Sequence, residues 1–416
     1  MQKLSARAAR QLAAVLCVAA CLVATGCKQP TTLRVALYPF VPDGPGLFEA
    51  LEAAFEASHA GVDLVLVDTL RDPTSGELRP LSESYYSGGL VRVEADVYEI
   101  DTVLLKDMVD AGRLTALGAV TDRFVEGALA AGTVDGSIWA IPHWLCGNFL
   151  YYKADDHEIR DAATWDSLLQ VLTNDGDNLL IDLSTSMLGE WYLTALAVTG
   201  AGRPEILLDL ETAPLDEQAV ALLNEVLNSC PAGSCRNDAD HGLVGHYARQ
   251  FARRQARAYV GFSEMTYFAL TEISSNCAAD DSCLRPESIA VRALPSTAMA
   301  ANAVGWVDGL AVAAGLERQQ EQLARDFISF ATSWDGYRAT LTPDSSDAAR
   351  YLLPAVRLSS DERASLAPMY PAFFDAYENT MFLSVGGIDK ELRAKARLLD
   401  CVLRSGPGDD SAANCG

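Results

Sequence analysis

Residues 31–68 switch hydrophobic period twice, and that switching limits the fold more than any other feature of the chain. TTLRVALYPFVP (31–42) reads as an opening strand running into a turn. LFEALEAAFEASHAG (47–61) has apolar residues at helical spacing and a glycine at its exit. VDLVLVD (62–68) reads as a second strand. ADVYEIDTVLLKDMVDAGRL (95–114) repeats the pattern, with a strand ending at Asp101 and a helix stopped by Gly112. Such alternation predicts an α/β fold with a mixed or parallel sheet and helices on its faces.

The 416 residues are enough for two domains with separate cores. Residues 69–92 read as a long loop carrying ESYYSGG, and 135–155 as a hairpin leading into a crossover. TWDSLLQVL (164–172) opens a helical part, followed by strand LLIDLS (179–184) and helices over 184–200 and 215–230. Residues 247–270 read as helix, short strand, then Glu264 at the entrance of a new helix. AVGWVDGLAVAAG (303–315) reads as a return to the first domain, and helices follow at 317–333 and from Asp389. This interrupted order resembles the solute-binding proteins of transport systems, in which a second domain interrupts the first. The implied division is 1–26 signal peptide, 27–145 domain 1 first part, 146–300 domain 2, 301–350 domain 1 return, and 351–416 C-terminal helical segment and tail.

The N-terminus has the pattern of an export signal. Lys3, Arg7 and Arg10 accompany the apolar run LAAVLCVAACLVA (12–24), and ATGC (24–27) places small residues before Cys27. A run this short, followed by polar sequence, predicts a signal peptide and not a membrane span. ATGC also resembles the end of a lipoprotein signal, so lipidation of Cys27 is expected, with simple cleavage and a retained anchor as alternatives. The expected location is periplasmic or extracellular-facing, with secretion the other outcome. Removing residues 1–26 takes away three bases and no acid, which leaves 29 bases against 56 acids and a formal charge of −27. That balance repels a phosphate backbone, so no nucleic-acid partner is expected, and it favours a cationic small ligand. A monomer that meets the membrane only through the N-terminal lipid is expected.

Seven cysteines remain beyond Cys27, an odd number for an oxidising compartment. Cys230 and Cys235, Cys277 and Cys283, and Cys401 and Cys415 form near pairs beside turn-forming residues. Local disulfides are their simplest assignment, although spacing alone does not fix connectivity. No histidine cluster accompanies them, so no metal site is expected. Cys146, in IPHWLCGNFLYYKADD (141–156), is left without a partner. It reads either as a buried structural thiol or as a nucleophile. Pro142, Gly147 and Asn148 around it suggest a strand edge or crossover.

Six stretches in order resemble one family, thiaminase of type I (thiamine pyridinylase): LRVALYPFVPD (33–43), DVYEIDTVLLKDMVDAG (96–112), GSIWAIPHWLCGNFLYY (136–152), GFSEMT (261–266), WVDGLAV (306–312) and YLLPA (351–355). The resemblance implies a two-domain periplasmic-binding-protein-like (type II) α/β fold with the ligand cleft between mixed-sheet domains. It also implies Cys146 as nucleophile and Glu264 as its base, with Asp101 and Asp308 facing the substrate. Tyr85 or Tyr86, and Tyr38 or Phe40, would line the ligand. Phe262 and Trp306 stand where the family favours tyrosine, so an aromatic face is kept and a hydroxyl lost. The implied partners are thiamine and a small nucleophilic co-substrate, with no cofactor.

That chemistry suits these residue types. A thiolate can add to an electron-poor aminopyrimidine, the thiazole leaves, and a second nucleophile takes its place. Carboxylates can bind the amino group and a protonated ring nitrogen. Aromatic rings can stack on the pyrimidine or face a cation. Competing roles are a helix N-terminal charge for Glu264, a cap for Asp101 and a turn for Asp308. His143 lies three residues before Cys146, a spacing that faces it away in an extended segment. Asn148 is a candidate for orienting the backbone near the cysteine. The alternative function is a lipid-anchored receptor that binds thiamine or a related cation without cleaving it.

Overall fold

The computed structural model describes residues 30–69, 85–86, 88–119, 123–125, 127–174, 178–184, 187–199, 213–231, 234–277, 282–295, 304–341, 349–377, 381–382 and 388–405. The signal segment, Cys27 and Cys415 lie outside these residues. The described strands are β1 Thr31–Ala36, β2 Val62–Leu66, β3 Val97–Asp101, β4 Leu114–Thr115, β5 Thr133–Val134, β6 Ser137–Ile138, β7 Ile141–Lys153, β8 Leu179–Leu180, β9 Ala258–Phe262, β10 Ile289–Ala293, β11 Val304–Ala313, β12 Leu353–Pro354 and β13 Met381–Phe382. The helices used below are α1 Gly44–Ser58, α2 Leu105–Asp110, α3 Met187–Val198, α4 Met265–Asn276, α5 Arg318–Ala331, α6 Tyr370–Tyr377 and α7 Asp389–Ser405.

The opening alternation folds as its periodicity predicts. β1 pairs in parallel with β2 and with β3. Between β1 and β2 runs α1, which buries Leu47, Phe48, Leu51 and Phe55. The helix starts earlier than the apolar spacing suggests, because Asp43 caps it by accepting from the Gly46 amide and a proline occupies its first turn. In TVDGSI the two-residue Asp135–Gly136 turn, both at positive φ, joins β5 to β6.

Eleven strands form one sheet with the order β2-β1-β3-β11-β7-β9-β8, and β4, β10, β12 and β13 attach to its inner strands. The segment that the sequence divides into a hairpin and a crossover instead contains one thirteen-residue strand, β7. Its residues 141, 142 and 144–147 pair with β11, and Asn148–Tyr152 pair with β9. A second set of partners changes at the same place, with β12 opposite Trp144 and Leu145 and β10 opposite Phe149 to Lys153. Among the described residues, β7 alone joins the β2-β1-β3-β11 strands to β9, β8 and β10.

From Phe149 to Tyr152 the side chains of β7 alternate between two cores. Leu150 and Tyr152 belong to one, with Trp306 and the α3 face, while Phe149 and Tyr151 belong to the other, with Leu33, Val35 and Phe373. The C-terminal segment, expected as helices and a tail, also supplies β12 to β7 and β13 to β11. Disulfides join Cys230 to Cys235 and Cys277 to Cys283, as the near pairs suggest. Cys401 is disulfide-bonded as well.

Helix α7 packs against α3 at a glycine. A Cβ on Gly189 would stand 2.7 Å from the carbonyl oxygen of Leu392, which is backbone and cannot rotate away. Gly189→Ala should therefore cost about 1–3 kcal/mol through overpacking. Urea denaturation checks this, and an unchanged midpoint would refute the close approach.

Candidate active site

Strand pairing assembles the residues that the sequence scatters. Cys146 lies on β7 at the change of partners, directly opposite Trp306 of β11. The residue two positions along a facing strand is the diagonal neighbour. Here it is Asp308, and Cys146 Sγ donates to Asp308 Oδ2 at 3.3 Å. The β7–β11 register shifts between Asp308 and Gly309, which leaves His143 of β7 as the extra residue without a partner in the ladder. Asp308 thus sits inside a ten-residue strand, not in the turn its following glycine suggests. On the far side of β11, Asp308 is opposite Asp101 of β3.

Asp101 has two tasks. Its Oδ1 accepts from the Val103 amide at 3.1 Å, the capping expected of a strand-end aspartate. Its Oδ2 accepts from the Tyr86 hydroxyl at 2.9 Å. The structure separates the two tyrosines that the sequence leaves equivalent. Tyr85 is fully buried, donates to the Glu99 carbonyl and accepts from the Asp101 amide, so it braces the strand end. Tyr86 is only partly buried; its hydroxyl meets that of Tyr38 at 3.2 Å and its ring stacks on Phe40. Arg393 of α7 lies over the Tyr86 ring, 5.0 Å from its centroid.

Glu264 stands between β9 and α4. It is buried, its side chain makes no capping bond to the helix, and Ser263 Oγ donates to its Oε2 at 3.3 Å. Its position is therefore not that of an exposed helix-end charge. Phe262 ends β9 opposite Asn148, two residues beyond Cys146. The Cys146 thiol donates its direct hydrogen bond to Asp308, and Glu264 acts on that thiol through space.

The electrostatics are those of acids crowded in a poorly solvated place. Burial first, then Asp308, Glu264 and Asp101, push the Cys146 thiol well above its ordinary range. Burial raises Glu264 to about 7. Burial also raises Asp101 to about 6, against the lowering effect of its hydrogen bonds to Val103 and Tyr86. Asp308 is pushed well up by burial and then by Asp101 and Glu99. Two facing carboxylates cannot both ionise cheaply, so this pair holds a proton more tightly than separate aspartates would. Cys146 itself is partly exposed and is the free cysteine among the described residues.

His143 is engaged elsewhere. Its Nδ1 lies 2.5 Å from Glu99 Oε1, and the Tyr38 amide donates to the other oxygen of Glu99 at 2.8 Å. The sequence argument that set His143 apart from Cys146 agrees with this pairing. Three other groups escaped sequence reasoning. Glu99 is hidden between the apolar residues of β3. Glu190 on α3 is raised to about 8 by burial and then by Asp101 and Asp182, and its only signal is an acid within an apolar run. Tyr377 ends α6 and lies against Gly147, with no local motif to mark it.

Burial of Glu264 has a consequence for stability. A carboxyl raised in the folded state from 4.5 to about 7 stabilises the fold relative to its ionised form below about pH 4.5, and this advantage is lost as pH rises toward 7. Glu264→Gln removes the titration. Its stability relative to the parent should therefore rise by roughly 3 kcal/mol between about pH 4 and pH 8, at about 1.4 kcal/mol per pKa unit. Denaturant titration at both ends checks the sign, and a constant gap would contradict it.

No family model matches the chain. It is 26% identical over 248 residues to a thiaminase-1 of Paenibacillus thiaminolyticus, a match covering 56% of this chain and 57% of that relative. The match thus spans little more than half the length of that relative. A solved thiaminase I from Bacillus thiaminolyticus superposes with a TM-score of 0.70 at 22% identity, covering 88% of this chain and 98% of that one. The Clostridium botulinum thiaminase I in complex with thiamin gives 0.70 at 20%, covering 89% and 100%. A maltose-bound MalE3 of T. maritima gives 0.65 at 16%, covering 92% and 98%. Sequence and fold together relate this chain to the thiaminase I proteins, and its fold is that of solute-binding proteins.

Proposed function

We propose that this protein is a thiamine pyridinylase in which Cys146 forms a covalent bond to the substrate pyrimidine. The observation that carries the proposal is the free, partly exposed thiol of Cys146, hydrogen-bonded to Asp308 and acted on by Glu264 and Asp101. A thiol kept only for packing has no need of three carboxylates.

In the proposed reaction Cys146 gives its proton to Glu264, whose affinity for protons near neutrality matches it to this exchange. The sulfur adds to the pyrimidine carbon next to the one bearing the methylene. Aromaticity is broken, and the electron pair leaves with the methylene–nitrogen bond to release neutral thiazole. Glu264 releases that first proton to solvent; an amine, a thiol or another nucleophile then adds to the exocyclic carbon and loses its proton to the ionised Glu264, which returns it to the departing Cys146 sulfur. Cys146 then departs and the ring is restored.

Asp101 and Asp308 are assigned to the amino group and ring nitrogen of the pyrimidine. The proton their pairing retains can be shared with the ring, which makes the ring a better acceptor for sulfur. Tyr38, Tyr86, Phe262 and Trp306 are assigned as the aromatic faces, with Tyr85 as a brace beneath them. A cationic thiazolium has a further effect at a thiol whose named charged neighbours are all acids. Its positive charge lowers the affinity of Cys146 for its proton, so the substrate assists in making the nucleophile.

The same proposal takes the protein to be exported, with residues 1–26 removed and Cys27 lipidated. It divides the chain into two type II domains, 27–145 with the 301–350 return and 146–300, followed by the 351–416 segment, with the ligand between the domains. The change of β7 partners between Gly147 and Asn148 is what supports a boundary near Cys146.

Incubation with thiamine and aniline or pyridine should yield the base-exchanged pyrimidine and free thiazole. Cys146→Ser should reduce turnover by about a thousandfold or more, as for loss of a nucleophile. Glu264→Gln should reduce it by about 10²–10⁴. Absence of both products, with thiamine bound equally by wild type and Cys146→Ser, would overturn the enzyme reading in favour of a solute receptor.

A further inference from the structure

We infer that Glu99 is a positioning residue for the substrate site. Held by His143, its carboxyl fixes the turn after β1, so that the Tyr38 hydroxyl feeds a hydrogen-bond chain ending on Asp101. The inference rests on Asp101 being a substrate contact. Glu99 and His143 are both buried, and both oxygens of the Glu99 carboxyl are engaged. Oε1 faces His143 Nδ1, and Oε2 accepts from the Tyr38 amide. The hydrogen between Oε1 and Nδ1 can sit on either atom, and Oε2 serves Tyr38 in both cases. In the sheet β11 lies between β3 and β7, so His143 reaches Glu99 past an intervening strand. Its Nε2 has no hydrogen-bond partner among the described residues, so Glu99 is the one hydrogen-bond partner of that ring. Burying such a pair is costly, and apolar residues of similar volume commonly fill the space as well. What an apolar pair would not do is accept from the Tyr38 amide.

Tyr38 is held from β3 at both ends. Its amide goes to Glu99, and its hydroxyl lies 3.2 Å from that of Tyr86. Tyr86 spends its single hydroxyl hydrogen on Asp101 Oδ2, so Tyr38 is the donor of the tyrosine pair. The chain therefore runs from Tyr38 through Tyr86 to Asp101. Between its two ends the Tyr38 ring packs edge-on against Phe40 at 5.1 Å and Tyr85 at 5.3 Å. Tyr85 ties the same two acids together, donating to the Glu99 carbonyl and accepting from the Asp101 amide. A hydroxyl pair at 3.2 Å is already long for an oxygen donor, so a small shift of the Tyr38 turn opens it.

A brace that only stabilises the fold separates from this role by experiment. Glu99→Met fills the space and leaves the Tyr38 amide without its acceptor. Glu99→Met/His143→Leu also removes the imidazole that would otherwise be left unpaired, and replacing both partners by apolar groups is often close to neutral for stability. Glu99→Gln keeps a carbonyl for the Tyr38 amide and an amide group for Nδ1. Exchange of the Tyr38 amide, followed by NMR of protein carrying isotopically labelled tyrosine, reads the anchor without any ligand. The kcat/KM for thiamine, in wild-type and Tyr38→Phe backgrounds, reads its effect on the site.

Glu99→Met and the double apolar variant should exchange the Tyr38 amide about tenfold faster or more, and each should lose about tenfold in kcat/KM. The urea midpoint of the double variant should stay near that of wild type, and Glu99→Gln should keep most of the activity. Tyr38→Phe removes the first hydroxyl of the chain, so in that background Glu99→Met should cost only about twofold more. Unchanged exchange of the Tyr38 amide would overturn the inference. So would a full tenfold cost of Glu99→Met in the Tyr38→Phe background, or a Glu99→Gln as impaired as Glu99→Met. A wild type that does not cleave thiamine would overturn the proposed function and not the anchor; the same cycle is then read on thiamine affinity by calorimetry, with the same outcomes deciding.

Discussion

Strand β7 changes its partners at Cys146–Asn148, and most of the site depends on that change. Up to Gly147 the strand belongs with β11 and, through it, with β3. From Asn148 onward it belongs with β9 and β10. A residue at this junction can be reached from both sets of strands, which an ordinary central strand position does not allow. Asp308 and Asp101 approach from one set, and Glu264 follows directly from the other. Gly147 at the junction has no side chain, which leaves room for the Tyr377 ring. Asp308, two residues along β11 from the residue opposite Cys146, lies on the same face and accepts from the sulfur.

Crowding these acids under poor solvation gives the site its chemical character. Charged carboxylates repel one another and are deprived of water, so protons are held that exposed groups would release. The thiol is driven the same way. In the proposed function this thiol is a weak nucleophile while the site is empty, and the entering ligand cation compensates the excess acid. In the proposed function the charge that makes the substrate a good leaving group also activates the cysteine. The acidity of the whole chain favours the same class of ligand, though most of it resides on the solvated surface.

Much of the fold was legible because local rules sufficed. The switch between helical and strand periods located β1, α1, β2, β3 and the helix after Asp101. Short cysteine spacings matched the two disulfides described between 230–235 and 277–283. Pro142, Gly147 and Asn148 suggest a strand edge or crossover near Cys146, whereas the strand runs on unbroken. Pairing partners on each side keep it extended, and partner identity is a tertiary fact that no window of sequence contains. The same limit applied to the site. Asp101, Asp308, Cys146 and Glu264 were named from resemblance to a family, while the Cys146–Asp308 hydrogen bond follows from a register between distant strands. Tyr377 and Glu190 were missed because their helices look like any buried helix. Only contact across the fold distinguishes them.

The covalent role of Cys146 is the central claim. Its most direct test is mass spectrometry of the protein mixed with thiamine but no second nucleophile, with Cys146→Ser alongside. The account predicts a pyrimidine-sized increase on the peptide containing Cys146 in the wild type and none in the variant. Thiamine cleaved at an undiminished rate by Cys146→Ser, or the added mass on a different residue, would contradict it.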